Sequence, residues 1–325
     1  MTSILRSQAH AKFRTFLAER GYSFEERPHQ VFLARLNHTV VNLYNNGKVV
    51  LGGSDLKERA VLLTYIQSQG GEIDEDDLRR SSEISTQDLH QTRVGMDEAG
   101  KGDFFGPLVT CAVLATEQLA VRMRDRGIRD SKELSAESIR TSADWLRREA
   151  LQSGQFRVVT IPPTRYNMLM LRMGSLNRLL GWGHARALED VLRFPEPCHL
   201  AIADQFGDPK FIEDALMTNG RQVQLLQIPK GERDAVVAAA SVLARDEFVT
   251  SVDRMGQRYG ERFPLGASDV EEFSRGFVTK HGADALLDTA KVHFSTTVRV
   301  VQSVDSLMRS LNARETEDRA RPRIR

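Results

Sequence analysis

Apolar residues recur along this chain with two different periods. In residues 7–21, Ala11, Phe13, Phe16 and Leu17 form one stripe, which predicts an amphipathic helix. Residues 31–36 and 40–44 are strand-like, Asn45-Asn46-Gly47 is a hairpin turn, and residues 48–52 return as a third strand. A second helix is predicted from about 55 to 67. The order helix, strands, helix describes a small α+β unit over residues 1–70. Residues 71–91 are acidic and polar behind Gly70-Gly71, and are expected to form a linker with one helical turn.

From residue 92 to 311 the two periods alternate. Strands are predicted at 93–97, 106–116, 155–161, 198–204 and 222–228. Helices are predicted at 135–152, 164–172, 176–193, 208–217, 233–256, 269–281 and 296–311. This alternation implies an α/β sheet packed between helices. Residues 312–325 lack an apolar stripe and are expected to be a mobile tail. No internal repeat is present.

Bulk composition changes this picture little. The 325 residues are enough for two domains, and a 41% apolar and 27% charged content is ordinary for a soluble globular chain. The distribution of charge says more than the net +1. Residues 1–70 carry nine Lys/Arg against five Asp/Glu, residues 71–90 two against seven, and residues 309–325 six against three. Basic ends are compatible with a polyanionic partner, although uneven charge alone more often marks a solvated surface. Cys111 and Cys198 lie among apolar residues without metal-ligand spacing, so buried free thiols are expected. The first residues are interrupted by Arg6, His10 and Lys12, unlike a secretory signal, and no apolar run reaches the roughly 18 residues of a membrane span. A cytoplasmic protein is expected.

The chemistry concentrates in the stretch from Val94 to Val109. Asp97 and Glu98 end a short apolar run, Gly100-Lys101-Gly102 follows, and a long apolar run begins at Leu108. Neighbouring strand residues point to opposite faces, so the two acids are expected to converge only if the chain bends. Acids at a strand end beside a backbone loop and a cation suit a metal held near a phosphate. Three further motifs follow. Asp130-Ser131-Lys132 precedes a helix, Asp204 ends an apolar strand, and the run from Ile228 to Asp234, with Glu232, leads a carboxylate into a helix of small residues containing Ala239-Ala240-Ser241. In open α/β sheets, sites gather at the carboxyl ends of strands, where Asp97, Glu98, Asp204 and Glu232 could meet. Four acids would suit water attack on a phosphodiester between two cations about 4 Å apart. One acid at a strand end usually caps a turn or helix; four in this order, each beside glycine or small residues, are harder to explain so. The spacing Gly100-x-Gly102 does not make a dinucleotide-binding loop, because it runs into Pro107 and a strand rather than a helix.

This order of motifs resembles the type-2 ribonuclease H family, most closely its HIII branch. The resemblance covers about residues 92–300. It includes Glu rather than Asp at position 232, the run from Gly102 to Pro107, Arg165-Tyr166-Asn167 and Leu176-Asn177. The extra N-terminal unit also suits that branch, where it is similar to the fold of TATA-binding protein. The resemblance implies a ribonuclease H-like mixed sheet flanked by helices. It implies an endonuclease that cuts the RNA strand of RNA/DNA hybrids, leaves 5′-phosphate and 3′-hydroxyl ends, and works as a monomer. Asp97, Glu98, Asp204 and Glu232 would ligate two magnesium or manganese ions, Asp97 touching both. Gly100, Lys101 and Gly102 would meet the backbone around the scissile phosphate and the 2′-hydroxyl that distinguishes RNA from DNA. Ser131 and Lys132 would bind phosphates. Ser241 would lie near the substrate backbone, or serve only as a small residue in a tight helix contact. Lys101 and Lys132 are read as functional from their place beside the acids, His293 as structural, and Phe13, Phe16 and Phe32 as core. Two rival readings remain: a ribonuclease HII-like enzyme acting at single ribonucleotides in DNA, and a catalytically silent hybrid-binding protein. Junction-cutting relatives carry a tyrosine after His-Lys-Gly. The matching stretch here is Phe263 to Ser268, with Ala267 at the tyrosine position and no tyrosine beyond Tyr259.

Overall fold

A computed structural model describes residues 2–27, 30–36, 39–53, 56–73 and 91–320. The chain divides into two compact units, Met1–Gln87 and Asp88–Arg325.

The first unit contains β1 (Thr2–Ile4), α1 (His10–Glu19), β2 (Ser23–Glu25), β3 (Gln30–Leu36), β4 (Thr39–Tyr44), β5 (Lys48–Gly53), α2 (Leu56–Ser68) and β6 (Glu72–Ile73). The strands form one antiparallel sheet in the order β2-β3-β4-β5-β1-β6. The strict alternation of β4 buries Val41 and Leu43 and leaves Val40, Asn42 and Tyr44 half-covered on the other face. Phe13 and Leu17 of α1 and Leu62, Leu63 and Ile66 of α2 pack on the buried face, with Phe32 among the strand residues they cover. Phe13 and Phe32 are therefore core, and Phe16 stacks on Tyr65 at 3.8 Å between ring centroids. The pattern missed β1, β2 and β6. Strands of two or three residues carry no period and exist only through pairing, as Thr2 with Val50 and Ser3 with Ile73. β6 lies inside the stretch expected to be linker. The rest of that stretch, with its expected helical turn, is outside the described residues.

The second unit contains β7 (Arg93–Ala99), β8 (Leu108–Ala115), α3 (Glu117–Asp125), α4 (Ala136–Trp145), β9 (Phe156–Ile161), α5 (Pro163–Met173), α6 (Leu176–Val191), β10 (Leu200–Asp204), α7 (Lys210–Glu213), β11 (Gln224–Ile228), α8 (Ala235–Tyr259), α9 (Glu271–His281), α10 (Leu286–Thr289), α11 (Ser295–Val300) and α12 (Val304–Ala320). Its sheet has the order β11-β10-β7-β8-β9. β7, β10 and β11 are mutually parallel, and β8 and β9 run antiparallel. The mixed sheet agrees with the α/β expectation. One face is covered by α8, α3 and α4, and the other by α6 and α7. The small residues of α8 bring it against β7: a Cβ on Gly95 would stand 2.3 Å from the backbone of Val236 and Val237.

Four helical expectations change. α3 was not foreseen; Thr116 caps it by accepting from Leu119 N, and it buries Leu119, Ala120 and Met123. The helix expected at 208–217 is the four-residue α7, which starts after Pro209. The helix expected at 296–311 breaks at Val301 into α11 and α12. Residues 312–320, expected to be a mobile tail, continue α12. Leu307 and Leu311 are buried there, and Arg172 of α5 pairs with Glu315 at 2.6 Å and Asp318 at 2.9 Å. These salt bridges are long-range in sequence, so local patterning could not disclose them. Among the described residues no helix is long and apolar enough to cross a membrane.

Candidate active site

The carboxyl ends of β7, β10 and β11 lie side by side. Ala203 pairs with Met96 in the parallel ladder, so the next residues, Asp204 and Asp97, are neighbours. Asp204 in turn pairs with Ile228 at the end of β11, just before the turn that carries Glu232. That turn is tight. Lys230 adopts a left-handed backbone at φ 60°, and Gly231 N donates to Asp204 Oδ1 at 2.9 Å.

No bend separates Asp97 from Glu98. The ladder to β8 stays in register from Arg93–Ala115 to Ala99–Val109. The two acids therefore leave opposite faces of β7. Asp97 is buried on the α8 side, near Ser241, and accepts a hydrogen bond from Glu98 N at 2.7 Å. Glu98 meets α6, with His184 Nε2 3.1 Å from its Oε2 and Lys101 Nζ 3.5 Å from its Oε1. Both still line one cavity of about 600 Å³, because the cavity wraps around the strand end. Asp204, Gly100, Lys101, Gly102, Ser131 and Lys132 line it too. Glu232 and Ser241 do not.

The electrostatics separate the acids. Burial, and then the charge of Glu98, push the Asp97 carboxyl well above the usual carboxylate range. Burial raises Glu98 too, but the hydrogen bond from His184 and the charge of Lys101 outweigh it and hold Glu98 below that range. Glu232 is raised by burial and by Asp204 and Asp130. For Lys132, burial is outweighed by Asp130, Asp97, Glu232 and Asp204, so its ammonium is stabilised. Asp97 and Glu232 are thus both raised by burial beside like charge.

Among the described residues no three acidic, histidine or cysteine side chains stand as a closed ligand group. Asp97, Glu98 and Asp204 each accept from a protein donor: Glu98 N, His184 Nε2 and Gly231 N. The donor set nevertheless fits a hard divalent cation: it is all oxygen, and burial beside like charge is what such an ion would relieve.

The glycine loop is braced from outside. Gly100 has φ 82°, and a Cβ there would stand 2.2 Å from Pro107 O. Lys291, fully buried, donates to the carbonyls of Asp103 and Gly106, each at 2.8 Å. Burial pushes its ammonium down to about 7. Asn167 holds the same segment, donating to Leu287 O and Ala290 O and accepting from Val292 N. Ser131 is buried, 2.9 Å from Ser241 Oγ, while the Lys132 side chain is 71% exposed. His293 meets Tyr166 at 3.4 Å, a structural contact. Sequence reasoning missed His184 and Lys291. His184 had a usable signal: it sits between Leu180 and Leu188 on the buried stripe of its helix, where a polar ring needs a partner. Lys291 had none.

The model of a family described as Ribonuclease HII matches residues 94–297. Ribonuclease HIII of Chlamydia pneumoniae is 32% identical over 302 residues, 90% of this chain and 95% of that protein. The protein of the same name from Chlamydia trachomatis serovar L2 is 31% identical over 304 residues, 93% of this chain and 94% of that one. Among solved structures, Bst ribonuclease HIII in complex with Mn2+ superposes with a TM-score of 0.61 at 22% identity, over 95% of this chain and all of that one. Ribonuclease H2 from Pyrococcus horikoshii superposes with a TM-score of 0.53 at 22% identity, over 70% of this chain and 99% of that one.

Proposed function

The chain belongs to the ribonuclease HII family, and from that premise we propose that it is an endonuclease hydrolysing the RNA strand of RNA/DNA hybrids. The observation that carries this reading is the cavity at the carboxyl ends of β7 and β10, where Asp97, Glu98 and Asp204 face the Gly100-Lys101-Gly102 loop. Asp97, Glu98, Asp204 and Glu232 would hold magnesium or manganese. Such ions would supply an activated water and neutralise charge on the phosphate.

The other side chains have separable tasks. Lys101 Nζ lies 5.3 Å from the Phe206 ring centroid and reaches Glu98, so it can meet a phosphate at the cavity mouth. A Cβ on Gly102 would meet nothing within 4 Å, which leaves that backbone open to a sugar and its 2′-hydroxyl. Lys132 offers an exposed ammonium to a flanking phosphate. Ser241 is only 2% exposed and bonded to Ser131 and Asp130, so it ties α8 to the Asp130-Ser131-Lys132 segment instead of facing substrate. The direct test is cleavage of a labelled hybrid with magnesium, and with chelator, beside RNA/RNA and DNA/DNA duplexes. Cuts within the RNA strand that leave 5′-phosphates and vanish with chelator are expected. Hybrid binding without cleavage would favour the silent binder.

Substrate choice within the family follows from the stretch around Leu265. Ala267 packs on the core, Gly266 N donates to Asp103 Oδ1 at 2.7 Å, and Leu265, 46% exposed, lines the cavity. Among the described residues of this stretch, none that lines the cavity carries an aromatic ring to sense an RNA–DNA junction. A duplex with four ribonucleotides should be cut much faster than one with a single ribonucleotide; equal initial rates would support the junction nuclease.

The N-terminal unit would supply affinity. The sheet face away from its helices carries Arg35, Asn42, Tyr44 and Lys48. Deleting residues 1–87 should weaken hybrid binding and flatten its salt dependence, by about 0.9 in log–log slope per lost phosphate contact. Cleavage at saturating protein should survive. Unchanged affinity and slope would remove this role.

A further inference from the structure

Glu98 is held by a group that the four-acid reading does not include. His184 is fully buried on α6, and its Nε2 lies 3.1 Å from Glu98 Oε2. The ring stacks on Phe206, with centroids 5.4 Å apart and planes 13° apart. Phe206 follows Asp204 by two residues, so the stack ties α6 to the loop behind a second acid.

The tautomer follows from burial. His184 Nδ1 has no hydrogen-bond partner among the described residues. A proton on Nδ1 would be a buried donor without an acceptor, which costs more than an unused lone pair. A ring with its proton on Nε2 and a bare Nδ1 avoids that cost and donates to the carboxylate. Lys101 faces the other oxygen, Oε1, at 3.5 Å. Lys101 lies on a surface loop with its side chain 35% exposed, whereas His184 is locked by packing. Only the histidine can hold Glu98 in one orientation continuously.

Resting on the reading of Glu98 as a metal ligand, we propose that His184 is a positioning residue, whose Nε2–H sets the Glu98 carboxylate for a divalent cation while Phe206 fixes the ring. Partners of this kind typically change metal affinity by about 10- to 100-fold when removed.

The test is Mn2+ titration of the full chain by calorimetry, without nucleic acid. His184→Phe keeps an aromatic ring for the stack and removes the donor; it should weaken Mn2+ binding about 10-fold or more. His184→Gln keeps a donor of similar reach and should stay within about threefold of the parent, the rescue expected if a hydrogen-bond donor orients the ligand. Glu98→Gln is run alongside. If it weakens Mn2+ binding while His184→Phe binds as the parent does, the positioning role is overturned. If Glu98→Gln also binds as the parent does, Glu98 is not a ligand and the site reading fails first. A His184→Gln variant as weak as His184→Phe would overturn the donor role. Should His184→Phe not fold, His184→Asn decides, since its amide is too short to reach Oε2: weak Mn2+ binding supports the proposal and parental binding overturns it.

Discussion

Asp97→Asn is expected to slow hybrid cleavage by about a thousandfold or more, roughly 4 kcal/mol of transition-state stabilisation. The amide has the shape of the carboxylate and can still accept from Glu98 N, 2.7 Å away in the parent. Packing should therefore survive, because Asp97 is buried and the substitution alters no volume. What is lost is one negative charge at the meeting point of β7 and β10, and with it the pull on a cation. Substrate contacts through Lys101, Gly102 and Lys132 are untouched, so hybrid affinity should stay near that of the parent. Single-turnover cleavage at saturating magnesium measures the first quantity and fluorescence anisotropy the second. Cleavage near the parental rate would remove Asp97 from the chemistry.

The second large effect concerns stability. Asp234→Ala is expected to cost about 3 to 5 kcal/mol. Arg93 and Asp234 form a buried ion pair, with Nη2 2.6 Å and Nε 2.8 Å from Oδ2 and both side chains 4% exposed. Removing the carboxylate leaves a buried guanidinium without this counter-charge. The same carboxylate caps α8, accepting from Val236 N at 2.9 Å and Val237 N at 3.2 Å, a cap alone worth about 1 kcal/mol. Asp234→Asn keeps a cap and should fall between parent and alanine. Since α8 carries Ser241 and begins just after Glu232, weakening its start should also loosen the support of Asp97. Urea unfolding tests the expectation; a change below about 1 kcal/mol would show that the pair contributes little beyond its desolvation cost.

Much of this was legible in the chain itself. Long elements announce their period, so all five strands of the second unit and the long helices α6 and α8 could be placed from the sequence. The four acids stand out in the chain because each ends or follows an apolar run beside glycine or small residues, a local signature; three of them, Asp97, Glu98 and Asp204, line one cavity. Four other features are non-local. The strands β1 and β6 are too short to carry a pattern and exist only as partners in a sheet. Residues 312–320 are polar along their length, and their order comes from ion pairs to α5. Whether Asp97 and Glu98 diverge was left open by the chain: pairing with β8 holds the strand straight through both, so they leave opposite faces and yet line one cavity. His184 and Lys291 act through groups 86 and 188 residues away in sequence, His184 on Glu98 and Lys291 on Asp103. Periodicity and turn chemistry report what a residue does to its near neighbours. Which acid is raised, which is lowered and what holds each in place depend on burial and on charges brought from distant segments, so those were decided only when the sheet and its helices closed around them.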